Sequence, residues 1–374
     1  MSADSRADLA VVGGGIVGLA CAWRAARTGL RVEVVERGEP GRGATHAAAG
    51  ILAPDTEAEP GAATLAALGR RSLELWPAFA EDLERESGRE VGFARCGTLV
   101  VALDRDELDV VRREHDVLAR MGLEAQLLSG SECRKLEPGL APVCAGGLLA
   151  AHEAQVDPRR VVAALVDALV AAGGVLRTDA EAVGLVREGD GVRGVVLADG
   201  SRVAAERVLL AGGAWSGRNG LAPVPLPVRP VKGQVVRLRA PADELPAERM
   251  IRSEHVYVVP RASGEVVVGA TTEERGFDTA VTAGGVLELL REAYRALPEI
   301  AELELVEVTA GLRPGSPDNG PLLGETGVDG LLVASGHYRN GILLTPVTAE
   351  AIEALVAGTP PPEAVEPFSP RRFA

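Results

Sequence analysis

The feature that most constrains this chain lies near its start. A short apolar run, Leu9 to Val12, ends in Gly13, Gly14 and Gly15, and Ile16 to Arg27 then continues rich in Ala and Leu, interrupted only by Gly18. That pattern predicts strand, tight turn, helix. Gly29 closes the helix, and Val32, Val34 and Val35 form a second β-branched run ending at Glu36. Gly13, Gly15 and Gly18 therefore satisfy G-x-G-x-x-G with the required flanks, and Glu36 lies 21 residues past Gly15. One glycine permits the turn, one lets backbone approach a pyrophosphate, and one lets helix meet strand. The helix N-terminus offers N–H groups to phosphate, and the acid can accept from ribose hydroxyls. Glycine-rich turns occur in many α/β proteins, but the strand, the helix and the acid together select dinucleotide binding.

At 374 residues the chain has room for two connected domains. Residues 64 to 86, with Pro77 inside, and 105 to 121 show helical amphipathic spacing. Asp157-Pro158 opens a run closed by two glycines, a full set of helix start and stop signals. From Ala182 to Val208, Val-rich runs separated by Gly191 and by Asp199-Gly200 predict an antiparallel meander feeding a strand at Val208 to Ala211. The proline-rich stretch 221 to 230 reads as a crossover rather than as central strand. Runs at 233 to 239, 255 to 260 and 265 to 270 predict antiparallel strands, and 284 to 297 predicts a helix. Leu331 to Ala334 predicts another strand, followed by the loop SGHYRNG and a helix from Pro346 to Val356. The chain is thus expected to be α/β. A discontinuous Rossmann-like domain would comprise 1–85, 150–220 and 308–374. A second domain on a mainly antiparallel sheet with helices would comprise 86–149 and 221–307.

Several classes are excluded by composition. The formal net charge of −14 would repel a nucleic acid partner. Cys21, Cys96, Cys133 and Cys144 lack zinc-type spacing and are too few for a disulfide framework, so free thiols and no metal site are expected. The start, MSADSRADLA, lacks a signal-peptide pattern and no apolar run reaches 18 residues, which points to the cytoplasm and away from the membrane.

After Glu36 comes GRGATHAAAG, Gly41 to Gly50, whose small side chains would let backbone approach a flat ring. Here the sequence resembles the D-amino-acid oxidase superfamily of FAD-dependent oxidoreductases, and within it the glycine oxidase branch of thiamine biosynthesis. The resemblance spans the chain. It is carried by VVGGGIVGLA, GATHAAAGILAP, LLAGGAWS, PVKGQ, HVYVVPRASGEVVVGAT, AGLRPGSPDNGPLLG and GHYRNGILLTP. It implies FAD with Ile16 and Val17 amides at the pyrophosphate and Glu36 and Arg37 at the adenosine ribose. Ala44, Thr45, Ala49, Gly50 and Ile51 would line the flavin, and backbone at Ala182 or Val183 would hold the adenine. The segment His337, Tyr338, Arg339, Asn340, Gly341, Ile342 and Leu343 would bring amides and a helix N-terminus to the pyrimidine end, where they favour negative charge. In the sarcosine oxidase branch a cysteine near the position of Gly311 binds FAD covalently. No cysteine follows Cys144, so noncovalent FAD is implied.

The same resemblance assigns the substrate carboxylate to Arg313, a cation whose planar fork suits bidentate capture. Pro314 biases Arg313 toward extended backbone, as at a strand end. Tyr257 would donate its phenol to the same carboxylate, with His255 on the same strand face as pocket wall and Arg339 adding positive potential. The implied reaction oxidises glycine to its imine, which water converts to glyoxylate and ammonia while oxygen becomes hydrogen peroxide. The imine, dehydroglycine, would serve thiazole synthesis. One position departs from the pattern: Thr272 stands where the family carries methionine after GAT, which leaves exclusive glycine preference open. D-amino-acid oxidase, an amino-acid dehydrogenase, sarcosine oxidase and, in another class, a non-catalytic flavin-binding subunit are the alternatives. The family also implies a homotetramer.

Overall fold

A computed structural model describes residues 6–58, 61–218, 221–241 and 243–373, so the start MSADS lies outside the described residues. The chain builds two eight-stranded sheets. In the first, the order is Leu322–Glu325, Leu331–Ser335, Arg202–Leu210, Ala7–Val12, Val32–Val35, Val175–Arg177. All neighbours are parallel except the first pair. Leu9, Ala10 and Val11 are fully buried because both faces are covered, which is why the run lacks polar alternation. Helices Ile16–Arg27, Ala63–Ser87, Pro158–Ala171 and Thr345–Val356 pack together on one face around Trp23, Trp76 and Leu165. On the other face lies the meander Ala182–Glu188 and Gly191–Leu197, whose third strand runs straight on as Arg202–Leu210. The helix after Pro158 forms as its signals require: Asp157 Oδ1 accepts from the Arg159 and Arg160 amides, and Gly173 leaves the helix at φ +84°.

The second sheet runs Glu304–Gly315, Arg229–Arg239, Glu265–Gly269, Tyr257–Pro260, Met250–Arg252, Thr98–Ala102, Gly146–Ala150, Gln126–Ser129. It is antiparallel except where Met250–Arg252 meets Thr98–Ala102. Helix Ala283–Ala296 packs on one face through Leu289, Ala293 and Ala296. The other face, with Val235, Val259 and Val267, packs against Ala49 of the glycine-alanine segment.

The structure corrects two local expectations and adds strands where none was expected. The proline-rich stretch gives way at its end to strand, since Arg229 and Pro230 open Arg229–Arg239. Pro230 pairs only with Pro314 there, so the missing N–H costs no second ladder. His255 is not on the strand with Tyr257. It sits in a tight turn closed by Ser253 N–H donating to Val256 O at 2.8 Å, and the strand begins at Tyr257. Strands at 98–102, 126–129 and 146–150 join the sheet without having been signalled in the sequence. Thr98–Ala102 is buried along its whole length and so carries no alternation.

Candidate active site

A cavity of about 960 Å³ lies between the carboxyl ends of the parallel strands and the face of the second sheet. That volume is at the top of the usual range for small-molecule sites, as a dinucleotide plus a substrate requires. At one end the glycine turn forms a cradle. Gly13 has φ +111°, and a Cβ there would lie 2.5 Å from Ala211 O; a Cβ on Gly18 would lie 2.0 Å from Gly13 O. Gly15 caps Ile16–Arg27 without a side chain, leaving the helix start open to the cavity. The Ile16 amide donates to Thr45 Oγ1 at 3.3 Å, so Thr45 ties the Gly41–Gly50 segment to the glycine turn. Glu36 accepts the Gly14 amide at 2.7 Å and the Gly38 amide at 3.2 Å, which fixes the turn and points its carboxylate along the cavity edge. Arg37 stacks over Trp215 at 3.8 Å, and Ala182 and Val183 complete this rim.

The middle of the cavity is walled by Ala44, Thr45 and Ala47 to Ile51. Gly50 has φ +82°, and a Cβ there would meet Val156 O at 1.8 Å, so only glycine fits. Three arginines hold this wall by its carbonyls. Arg237 donates to His46 O and Ala48 O at 3.0 and 3.1 Å, Arg261 to Ala49 O at 2.7 Å, and Arg159 to His46 O at 3.1 Å. Glu265 and Glu307 neutralise them. Burial is the main force lowering the Arg237 pKa, opposed by Glu265. These arginines were not legible in the sequence. Gly311 packs against this wall, where a Cβ would lie 2.7 Å from Ala47 Cβ.

The loop expected at the pyrimidine end of a flavin follows strand Leu331–Ser335. His337 is 2 % exposed, its Nε2 is 3.1 Å from Thr348 Oγ1, and burial lowers its pKa to about 4, so the ring is neutral. Tyr338 is held at φ +49°, a costly conformation for tyrosine, with its amide donating to Pro314 O at 2.8 Å. Gly341 and Ile342 face the cavity just before helix Thr345–Val356. Gly18, Asn340 and Leu343 do not line it. Gly18 serves the helix–strand crossing, and Leu343 turns into the core, its carbonyl accepting from Ser72 Oγ and Trp76 Nε1.

The cavity wall that carries Arg313 and Tyr257 is set by register. Gly233 pairs with Gly311, Val231 with Arg313, and Tyr257 with Gly269 across adjacent strands. A Cβ on Gly233 would lie 2.2 Å from Arg313 Nη1, and one on Gly269 would lie 2.4 Å from the Tyr257 hydroxyl. Both side chains thus lean over glycines, into the same space. Arg313 donates to Thr271 O at 3.0 Å and Lys232 O at 3.4 Å, and forms no ion pair with a carboxylate among the described residues. Burial raises the Tyr257 pKa, with Arg313 the largest opposing influence, so the phenol keeps its proton as a donor. Arg339 donates to Thr272 Oγ1 at 3.3 Å and lies over the Tyr338 ring, which joins the 337–343 loop to Thr272. His255 reaches the cavity only as an exposed wall residue beside Glu254. Glu57, Arg252 and Gln234 also line the cavity and were not signalled by local pattern.

One cleft thus holds a glycine cradle at a helix start, a wall of small residues and a guanidinium with no ion-pair partner among the described residues, the arrangement expected of a flavin-dependent oxidoreductase. The family model described as FAD dependent oxidoreductase, DAO, matches residues 8–355, and the chain belongs to that family. More particularly, it is 36 % identical over 367 residues to a glycine oxidase of Geobacillus kaustophilus, covering 97 % of this chain and 96 % of that one. The crystal structure of glycine oxidase from Geobacillus kaustophilus superposes with a TM-score of 0.91 at 35 % identity, covering 98 % of each chain. A bifunctional protein ThiO/ThiG of Trichormus variabilis is 36 % identical over 347 residues, 92 % of this chain and 52 % of that protein.

Proposed function

We propose that this protein is a glycine oxidase: glycine, oxygen and water give glyoxylate, ammonia and hydrogen peroxide, with the imine available for thiazole synthesis of thiamine. The observation that carries the reading is Arg313 over Gly233, without a carboxylate partner, facing the Tyr257 hydroxyl over Gly269. A small zwitterion supplies the missing carboxylate, and the guanidinium binds it through its fork while the phenol donates a further hydrogen bond. FAD, when bound, supplies the two-electron acceptor. The Gly13–Gly18 turn, Glu36, Arg37 and Ala182–Val183 would hold its nucleotide part. Ala44 to Ile51 and His337 to Ile342 would hold its ring. With no cysteine on the cavity wall among the described residues and with Gly311 closed against Ala47, we infer noncovalent attachment. The neutral imidazole of His337 adds no competing charge, so the helix start at Thr345 and the loop amides set the field at that end. Catalysis by the chain is therefore positioning and electrostatics, with no general base required of it.

Glycine-oxidase relatives at matching length and the ThiO-type relative support this reading. A second reading, sarcosine or small D-amino acids as substrates, is favoured by Thr272, which is shorter than the family's methionine. Peroxide formation from glycine, sarcosine, D-alanine and D-proline ranks them. Arg313→Ala is expected to raise KM strongly with FAD still bound, and loss of flavin in that variant would place the substrate site elsewhere. We further infer the division into an FAD-binding domain (1–85, 150–220, 308–374) and a substrate domain (86–149, 221–307), and a homo-oligomer in the cytoplasm. No helix among the described residues is long and apolar enough to cross a membrane, and exposed Leu305 and Val306 on an edge strand favour self-association.

A further inference from the structure

The substrate face does not end at Tyr257. Arg252 lies directly opposite Tyr257 in the antiparallel register, and opposed residues project to the same face. Across that face the successive strands present Arg313, Gly233, Gly269, Tyr257 and Arg252. Arg313 and Tyr257 lean inward over the two glycines, so Arg252 stands beyond the phenol, still on the cavity wall. Its Nη1 donates to Thr56 O. Thr56 is itself fixed, because the fully buried Glu153 carboxylate accepts from the Asp55 amide at 3.1 Å, the Thr56 amide at 2.8 Å and the Thr56 hydroxyl at 2.8 Å. The acid paired with Arg252, Glu114, is 4.0 Å from Nη1, beyond hydrogen-bond distance. Nε and Nη2 have no hydrogen-bond partner among the described residues. Glu57 shares the wall and keeps the field from being uniformly positive. Arg252 is thus tethered by a carbonyl while most of its fork is left open, as Arg313 is, in contrast to the glutamate-neutralised Arg159, Arg237 and Arg261.

We propose that Arg252 is a second anionic subsite, and that the cleft takes amino acids bearing a second carboxylate on the nitrogen substituent. The α-carboxylate sits at Arg313 and Tyr257, and the distal carboxylate reaches Arg252. Glycine itself uses only the first anchor. A guanidinium held in place before the ligand arrives loses little freedom on binding it, which favours the charged substrate over a neutral one of equal length. The inference rests on the glycine oxidase reading.

The test uses the flavin-loaded protein with N-carboxymethyl-, N-(2-carboxyethyl)- and N-(3-carboxypropyl)glycine, set against N-ethyl- and N-propylglycine, with glycine as reference. At least one carboxylated substrate is expected to exceed its neutral counterpart about tenfold in kcat/KM, the scale of one charge-assisted hydrogen bond. Arg252→Gln should cut that ratio about tenfold, Arg252→Lys should retain part of it, and added salt should shrink it in the unaltered protein. Should Arg252→Gln not fold, the lysine variant and the salt series decide the matter. Equal rates for charged and neutral substrates, or a ratio unmoved by either substitution, overturn the subsite while glycine turnover stands. Failure to oxidise glycine along with every other amine overturns the function on which the subsite depends.

Discussion

Substitution of Gly233 by alanine displaces the proposed carboxylate anchor, Arg313, without removing it. The added methyl would lie 2.2 Å from Arg313 Nη1 and 2.6 Å from Cζ. Non-bonded carbons settle near 3.5–4.0 Å, so the guanidinium must retreat by roughly 1 Å. Gly233 does not have a positive φ, so the strand accepts alanine, and the displaced group is the far end of a flexible side chain. Folding should therefore be almost unaffected while the anchor is misplaced. A displacement of about 1 Å at a positioning group costs on the order of 10²-fold in rate. Gly233→Ala is expected to lower kcat/KM for glycine by about that factor, mainly through KM, with FAD content and melting temperature close to the parent. In an Arg313→Ala background the same substitution should cost little, because the group it displaces is gone. The assay is peroxide release over a glycine concentration series, with the flavin spectrum as a check on loading. A kcat/KM within twofold of the parent, or full additivity with Arg313→Ala, would refute the placement of the carboxylate at Arg313.

Three other outcomes follow from the same geometry. Tyr257→Phe removes one donor to a charged acceptor, about 2 kcal/mol, and should lower kcat/KM some thirtyfold with glycine while FAD remains bound; an unchanged value would make the tyrosine a packing residue. Gly311→Ala drives a methyl into Ala47, 2.7 Å away, and overpacking on this scale, about 1–3 kcal/mol, should weaken FAD binding about tenfold in a titration of the apoprotein. An unaltered affinity there would separate Gly311 from the ring slot. His337 should stay neutral through the working range and titrate by NMR near pH 4. Its folded pKa lies below the ordinary value of 6.5, so its contribution to stability is present above that pH and is lost on acidification toward 4, up to about 3 kcal/mol. A ring midpoint near 6.5 would contradict the burial argument.

The nucleotide half was legible because its signals are local. Gly13, Gly15, Gly18 and Glu36 act through a turn and the two elements beside it, and the helix signals at Asp157-Pro158 are contiguous. The wall of arginines was not legible: Arg237 and Arg261 reach carbonyls 189 to 212 positions away, and the chain holds few lysines and many arginines that look alike in sequence. Arg252 was hidden for a related reason, since its face is decided by pairing with Tyr257 and not by neighbours in the chain. His255 was misplaced because HVYVV alternates like strand, whereas the Ser253–Val256 turn delays the strand by two residues. Leu343 was expected on the cavity wall but turns into the core, its carbonyl taken by Ser72 and Trp76, a choice made by tertiary packing.

The central claim is that a bound flavin accepts electrons from a small amino acid held by Arg313. Its most direct test is the absorption spectrum of the purified protein under anaerobic conditions, before and after glycine is added. An oxidised flavin spectrum is expected that bleaches on addition of glycine and returns with air as peroxide appears. A colourless protein, or a flavin that stays oxidised with glycine, sarcosine and small D-amino acids alike, would contradict it.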